Sequence, residues 1–365
     1  MGSLRTLFAI AVVFAHSYGY VFVGGQNAVQ LFYMISGFLI SYVIVEKKTY
    51  SSIKNFYINR YLRLYPIYAS VAILTLLALS ASAFLLDKNL EFFSTYHNAP
   101  FAADILLLLS NSTLLLQDWV MFAGIENNQL VFSTNVFKGD IALYKGLLVP
   151  QAWTLGVELS FYLIAPFILP RRKILFALLF LSIMLRIYLI YIGIGRQDPW
   201  TYRFFPTELT LFLLGALSHQ VILPFYRKLF SKHNIEKYST TSTYLLILIT
   251  LSFWLIPIDE LTKSIALFFI FLLLMPLTFL FQSKRNWDKW IGNLSYPIYI
   301  CHILVIYVTN FLTEKLGIKN ITTISLIIVA ASVCLSILLN TYIGNPTEAL
   351  RNKLRNKNKK TQHPL

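Results

Sequence analysis

Four short clusters hold the residue types that do acid–base or anion-binding chemistry. The first is RTLFAIAVVFAH, where Arg5 and His16 close the two ends of an otherwise apolar run. Eleven residues make about three helical turns, so both side chains fall on one face, about 16 Å apart along the axis. A guanidinium can hold a phosphate, and an imidazole can serve as base or nucleophile. The second is INRYLRLYP, where Arg60 and Arg63 at i, i+3 share a face and can grip one phosphate together. The third is WTLGVELSFY, residues 153–162, in which Glu158 is the lone charge between Gly146 and Pro170. Tyr162 follows one turn later on the same face, and Gly156 lets another group approach closely. The fourth is SYPIYICH, with Tyr299 and His302 at i, i+3.

Smaller signals are Ser36 beside Gly37 in FYMISGFLI, and Arg186, Arg203 and Glu208, each set in an apolar run. Arg186 and Glu208 suit pairing with each other or with lipid head groups. Each cluster also has a plainer reading. His16 can be tied to a neighbouring helix, the arginines can anchor loops, and Tyr299 can be an interfacial aromatic. Glu158 resists this, because a carboxylate in mid-membrane costs at least ~2.5 kcal/mol unless it is paired, protonated or facing water.

The elements that position these residues must suit an apolar medium. The chain is 57% hydrophobic and 13% charged, whereas soluble domains are about 25% charged. Eleven apolar segments are legible: 4–23, 28–45, 64–86, 102–118, 150–169, 174–194, 206–223, 242–257, 264–282, 293–313 and 321–343. About 20 apolar residues cross a bilayer as a helix. The fold class is therefore all-α, a polytopic membrane helix bundle.

Lysine and arginine in short loops set the orientation. The loop 46–63 with Lys47, Lys48, Lys54, Arg60 and Arg63, the RRK at 171–173, and the loop with Arg227, Lys228, Lys232 and Lys237 are expected in the cytoplasm. So are Lys284, Arg285 and the tail RNKLRNKNKK. From residue 171 the segments alternate with these loops. Between 64 and 170 three segments separate two cytoplasmic flanks, where an even number is required. Either 102–118 does not cross fully, or a weak fourth crossing lies in 119–149. The first option makes about ten crossings of the eleven segments, with both termini cytoplasmic. A membrane domain over 1–345 and a short, flexible basic tail over 346–365 are the expected divisions. Residue 16 is expected deep in the membrane.

The net charge of +15 is spread over loops between spans, which argues for membrane orientation and against nucleic acid. Cys301 and Cys334 lie in apolar runs without metal-ligand spacing and read as ordinary core residues; no metal is expected. Met1–Ala15 has the outline of a secretory leader, but its apolar run continues to Val23 and a second segment follows at once.

Taken together, LRTLFAIAVVFAH, LFYMISGFLIS, FYINRYLRLYP, WTLGVELSFY and LSYPIYICH resemble the membrane-bound acyltransferase 3 family, in order, over about residues 4–310. The resemblance implies about ten transmembrane helices and O-acylation of a sugar, commonly in a bacterial envelope polysaccharide or lipopolysaccharide, with cytoplasmic acetyl-CoA as donor. His16 matches the family's essential histidine and Arg5 its paired arginine. Arg60 and Arg63 match arginines expected on the donor's phosphates, and Trp153 and Glu158 match the Trp and Glu of the fifth-span motif. His302 matches a late histidine. Thr154 stands where serine is more frequent, and keeps the hydroxyl. An appended extracytoplasmic SGNH-type domain, common among relatives, is not expected, so acceptor choice falls to the membrane domain or a separate extracytoplasmic partner.

On this reading the enzyme is an O-acetyltransferase of the bacterial inner membrane. His16 and Glu158 are the candidate catalytic pair, Glu158 orienting or charge-balancing an imidazole. Arg5, Arg60, Arg63, Trp153, Tyr162, Ser36, Tyr299 and His302 are the candidate binding residues for donor and carbohydrate acceptor. His16 can act as general base or form an acyl-imidazole, and both remain open. The rival reading is a proton-coupled transporter or a glycan or lipid flippase, since buried charges and histidines also mark proton relays.

Overall fold

The computed structural model describes residues 1–50, 52–86, 90–135 and 141–360. It is a helix bundle with one small sheet. Eight helices are long and apolar enough to cross a membrane, and two shorter ones, Gly2–Ser17 and Phe101–Thr113, are apolar as well.

Helix α1 (Gly2–Ser17) starts beside the first turn of a later helix, where Gly2 and Ser3 donate backbone N–H groups to Asp288 at 2.6 and 2.8 Å. It ends at Ser17, short of the expected Val23, because Gly19 takes a left-handed φ of +135° and turns the chain. Helix α2 (Gly24–Ser41) returns and ends in a π-helical turn, Tyr42–Glu46. Helix α3 (Ile53–Leu86) starts eleven residues before the expected span, its first turn capped by Ser52, whose hydroxyl accepts from Asn55 N–H at 3.2 Å. Arg60 and Arg63 therefore lie within a helix rather than a loop.

After α4 (Leu90–His97), helix α5 (Phe101–Thr113) resolves the odd count of segments. Its 13 residues span about 20 Å, too little for a ~30 Å hydrocarbon layer. Leu114 and Leu116 then take left-handed φ values of 66° and 61°, and α6 (Gln117–Val120) leads back out. The last carbonyls of a half-helix have no intrahelical partner and no water inside a bundle. Three tyrosines of α3 supply donors: Tyr61 to Thr113 O at 3.1 Å, Tyr65 to Ser112 O at 2.8 Å and Tyr68 to Asn111 O at 3.0 Å.

The region following α6 makes a sheet of order β2-β1-β3, with β1 (Ala123–Glu126), β2 (Gln129–Phe132) and β3 (Ile141–Ala142). Asn127 and Asn128, at φ 49° and 58°, form the two-residue β1–β2 hairpin turn that a type I′ geometry requires. The polar asparagine pair was a local strand signal inside a chain otherwise read as helical.

Helices α7 (Trp153–Ile168), α8 (Arg172–Tyr191) and α9 (Phe205–Leu217) follow. A second π-helical turn, Ser218–Ile222, joins α9 to α10 (Leu223–Leu229). Then come α11 (Lys232–Ser252), α12 (Glu260–Gln282), α13 (Asn286–Lys315) and α14 (Ile321–Leu339). A third π-helical turn, Asn340–Gly344, runs on into α15 (Asn345–Lys360), so the tail is helical through residue 360; residues 361–365 lie outside the described residues. Ten crossings need α1 and α7, of 16 residues each, to span along with the eight longer helices.

The bundle has two distinct ends. The basic end gathers the Met1 amine on Asp288 (3.1 Å), Arg227 on Glu46 (3.2 Å), Lys289 near Glu348 (3.7 Å) and Arg351 on Asn59 (3.1 Å), so both ends of the described chain meet there. The sheet end carries the end of α1, where Ser325 of α14 donates to Ser17 O at 2.9 Å. The core between them is tight. A Cβ at Gly37 of α2 would lie 1.9 Å from Phe212 O, and one at Gly215 of α9 would lie 1.9 Å from Met34 O. Backbones thus touch directly at the α2–α9 crossing, as small residues permit in membrane bundles. Arg186 and Glu208 pair at 2.6 Å, with Gln30 donating to Glu208 at 3.2 Å, so this internal ion pair answers to neighbouring helices and not to lipid. Cys301 is buried, whereas Cys334 is exposed on α14 and is not a core residue.

Candidate active site

The carboxylate of Glu158 on α7 is held by two hydroxyls. Ser36 donates to Glu158 Oε1 at 2.5 Å from α2, and Tyr162 donates to the same oxygen from one turn further on α7. The i, i+4 geometry of Glu158 and Tyr162 makes the second bond inevitable on a helix; the first joins residues 122 positions apart and needs the fold. Arg5 lies within electrostatic reach of Glu158, Tyr162, Arg60 and Arg63, and its guanidinium sits 5.9 Å from the Phe32 ring centre. Arg60 is 7% exposed, donates to Tyr50 OH at 2.9 Å, and lies 6.0 Å from the Tyr162 ring. Its Nε has no partner. The residues predicted for donor binding and the predicted carboxylate therefore form one cluster toward the basic end.

The histidines form a second group at the other end. His16 is in the last turn of α1 and its side chain is exposed, which its spacing from Arg5 did not show. The reason is the early stop of α1: the helix ends one residue beyond His16. Its ring lies 5.0 Å from that of His302, which is fully buried on α13. Each Nδ1 faces a carbonyl, His16 that of Val12 at 2.9 Å and His302 that of Tyr299 at 2.5 Å. A carbonyl only accepts, so each Nδ1 carries the proton and each Nε2 presents a lone pair. His302 Nε2 is buried without a partner. Glu158 hydrogen-bonds to neither imidazole among the described residues, and the expected Glu158–imidazole pairing is replaced by Ser36 and Tyr162.

Trp153, at the start of α7, borders the histidine group through an aromatic platform. The Arg203 guanidinium stacks 4.5 Å from its ring, and Tyr202 meets it edge-on at 5.2 Å. Asp198 grips Arg203 with two bonds of 2.6 and 2.9 Å. Gly156 admits Asp118: a Cβ there would lie 2.5 Å from Asp118 Oδ1. Burial pushes the Asp118 carboxyl up to about 6, opposed by backbone N–H donors.

A narrow cavity of about 40 Å³ extends inward from Arg5 past Glu158 to Tyr299, and neither histidine lines it. Arg5, Phe32, Ser36, Thr154, Glu158 and Tyr299 line it. Tyr299 is fixed by donating to Gln151 O at 3.1 Å, and its ring lies 5.8 Å from His302. A second hollow, of about 230 Å³, opens at the basic end between Arg5, Arg285 and Lys289. Arg5 borders both spaces, so one guanidinium stands between the basic mouth and the inner channel. Among the described residues no three His, Cys, Asp or Glu side chains converge to hold a metal ion.

Several site neighbours escaped the sequence reading. Phe32 and Gln151 look like ordinary span residues. Asp198 and Tyr202 sit in a loop without periodicity, although Arg203 beside them was visible as a charge flanking an apolar run. Asn59, Tyr50 and Arg351 belong to the basic end; their convergence crosses 292 residues and has no local signature.

A family model for an acyltransferase domain matches residues 2–341, nearly the whole chain. An uncharacterised protein of Aquifex aeolicus (strain VF5) is 28% identical over 214 residues, covering 56% of this chain and 90% of that protein. No solved structure matches the chain. With that match over nearly its whole length, the chain belongs to the membrane-bound acyltransferase 3 family.

Proposed function

We propose that this acyltransferase takes an acetyl group from cytoplasmic acetyl-CoA at the basic end and delivers it to a sugar hydroxyl at the sheet end. The acceptor is an envelope polysaccharide or lipid-linked glycan, and the protein lies in a bacterial inner membrane with both termini in the cytoplasm. One observation carries this reading. The cavity runs from Arg5 past Glu158 to Tyr299, whose ring lies 5.8 Å from that of His302, the partner of His16.

The division of labour follows from the chemistry of each group. CoA is a phosphate-rich head on a long thin arm ending in a thioester. Arg60 and Arg63 hold phosphate oxygens by charge-assisted bonds, and Arg5 guides the arm inward. Glu158, with Ser36 and Tyr162, sets a hydrogen-bonding wall for the amide-rich arm. At the far end His16 Nε2 takes the proton of the sugar hydroxyl as it attacks the thioester carbonyl; the thiolate of CoA leaves and recovers a proton. In the two-step version the same Nε2 attacks the thioester carbonyl first and the CoA thiolate leaves; the sugar hydroxyl then attacks the acyl-imidazole, and the released imidazole takes its proton. The Val12 and Tyr299 carbonyls keep both imidazoles in the tautomer that exposes Nε2. Trp153, Tyr202 and Arg203 offer an aromatic and cationic face against which a sugar ring can pack.

The test is purified protein in nanodiscs with radiolabelled acetyl-CoA and glycan from cells lacking the gene. Transfer of label to an alkali-labile ester, lost in His16→Ala, supports the reading. An active His16→Ala enzyme contradicts both the one-step and two-step versions.

A further inference from the structure

The C-terminal helix brings a guanidinium to the donor mouth that no motif announces. Arg351 on α15 donates from Nε and Nη2 to Asn59 Oδ1 of α3, at 3.3 and 3.1 Å. Tyr50 OH donates to that same oxygen at 2.9 Å and accepts from Arg60 Nη2 at 2.9 Å. One oxygen and one hydroxyl thus couple Arg351 to Arg60. Arg351 also feels Arg63 electrostatically. Arg63 and Arg60 in turn act on Arg5.

Four guanidiniums therefore crowd a region whose described carboxylates already have partners: Asp288 holds the Met1 amine and the Gly2 and Ser3 N–H groups, and Glu46 holds Arg227. Glu158 is occupied by Ser36 and Tyr162, and Glu348 lies 3.7 Å from Lys289. Arg63 has no hydrogen-bonded carboxylate among the described residues. Arg60, nine-tenths buried, keeps its Nε unpartnered. Gathering like charges in partly dry surroundings is unfavourable unless an anion joins them. The helix that carries Arg351 continues from α14 without a break through the π-helical turn Asn340–Gly344, so the charge is delivered on a semi-rigid arm.

We infer that Arg351 is a phosphate-binding residue and that α15 forms one wall of the donor site, closing Arg60, Arg63 and Arg351 around the phosphates of the CoA thioester. This rests on the donor reading above. Asn59 and Tyr50 are positioning residues, linking the two guanidiniums through one amide oxygen and one hydroxyl.

The experiment is equilibrium binding to the full chain in nanodiscs, with acetyl-CoA and inorganic pyrophosphate titrated separately. Arg351→Gln is expected to weaken both about tenfold and to flatten the salt dependence; Arg351→Lys is expected to lose less. Asn59→Ala, which changes no charge, is expected to weaken acetyl-CoA severalfold while keeping the salt dependence of the wild type. Thermal melting in the same nanodiscs identifies any variant that fails to fold, and Arg351→Lys then carries the comparison. Unchanged acetyl-CoA affinity in Arg351→Gln, with affinity lost in Arg60→Gln, overturns the role of α15 and leaves the donor reading standing. Pyrophosphate binding that depends on Arg351, without any acetyl-CoA binding, supports the anion site and overturns the donor reading. Wild-type protein that binds neither overturns both.

Discussion

The two ends of the channel treat arginine in opposite ways. At the sheet end Arg203 is matched: Asp198 takes two of its bonds, and Trp153 and Tyr202 cover its faces. At the basic end Arg60 and Arg351 are bound to neutral oxygens, Arg5 and Arg63 hydrogen-bond to no carboxylate among the described residues, and Glu158 already holds two hydroxyls. A matched guanidinium is a building block with a fixed shape. An unmatched group of them is a receptor for charge arriving from outside. On the proposed reading the difference suits the donor to the basic end and the histidine chemistry, which needs lone pairs and not charge, to the other.

Breaking the sheet end is expected to have the largest effect. His16→Ala removes the base or nucleophile and should lower transfer by about 10²-fold or more, with acetyl-CoA affinity unchanged by equilibrium binding. Breaking the basic end should act on binding instead. Arg60→Gln is expected to raise the donor KM about tenfold or more while kcat falls less, consistent with one lost charge-assisted contact. Equal losses of kcat in both variants would erase the distinction between the ends.

The scaffold between them is tested by Gly37→Ala. Its added methyl meets the Phe212 carbonyl at the α2–α9 crossing, and overpacking of this kind costs about 1–3 kcal/mol. A lower melting temperature with activity falling in proportion is expected; a stable, normally active variant would mean that the backbones are not in contact. The smallest effect concerns pH. Asp118 binds its proton more tightly folded than unfolded, being raised from 3.8 to about 6 by burial. In that window the folded state holds more protons, so stability should fall as pH rises from about 4 to about 6. Asp118→Asn should remove that slope in melting curves, and an unchanged slope would place its origin elsewhere.

Local pairs were legible without coordinates because helix periodicity dictates them. Glu158 with Tyr162 and Tyr299 with His302 are one turn apart, and both meet as spacing requires. Arg5 and His16 do lie on one helix, but the depth of His16 depended on where that helix stops, and the left-handed Gly19 decided it. The odd count between 64 and 170 was visible and left two alternatives open, whereas the anchoring of α5 by Tyr61, Tyr65 and Tyr68 was not visible at all. Those tyrosines carry no local signal, because their partners are the carbonyls of a helix some fifty residues further on. Ser36 to Glu158 and Arg351 to Asn59 are tertiary contacts across 122 and 292 residues, and no periodicity reaches that far.

The most direct test is sidedness. Proteoliposomes are sorted by whether a protease reaches α15, and labelled acetyl-CoA and glycan are supplied on chosen sides. Ester should form when acetyl-CoA is on the α15 side and glycan on the opposite side. Ester formed with both reactants confined to the sheet side would contradict a donor site at the basic end.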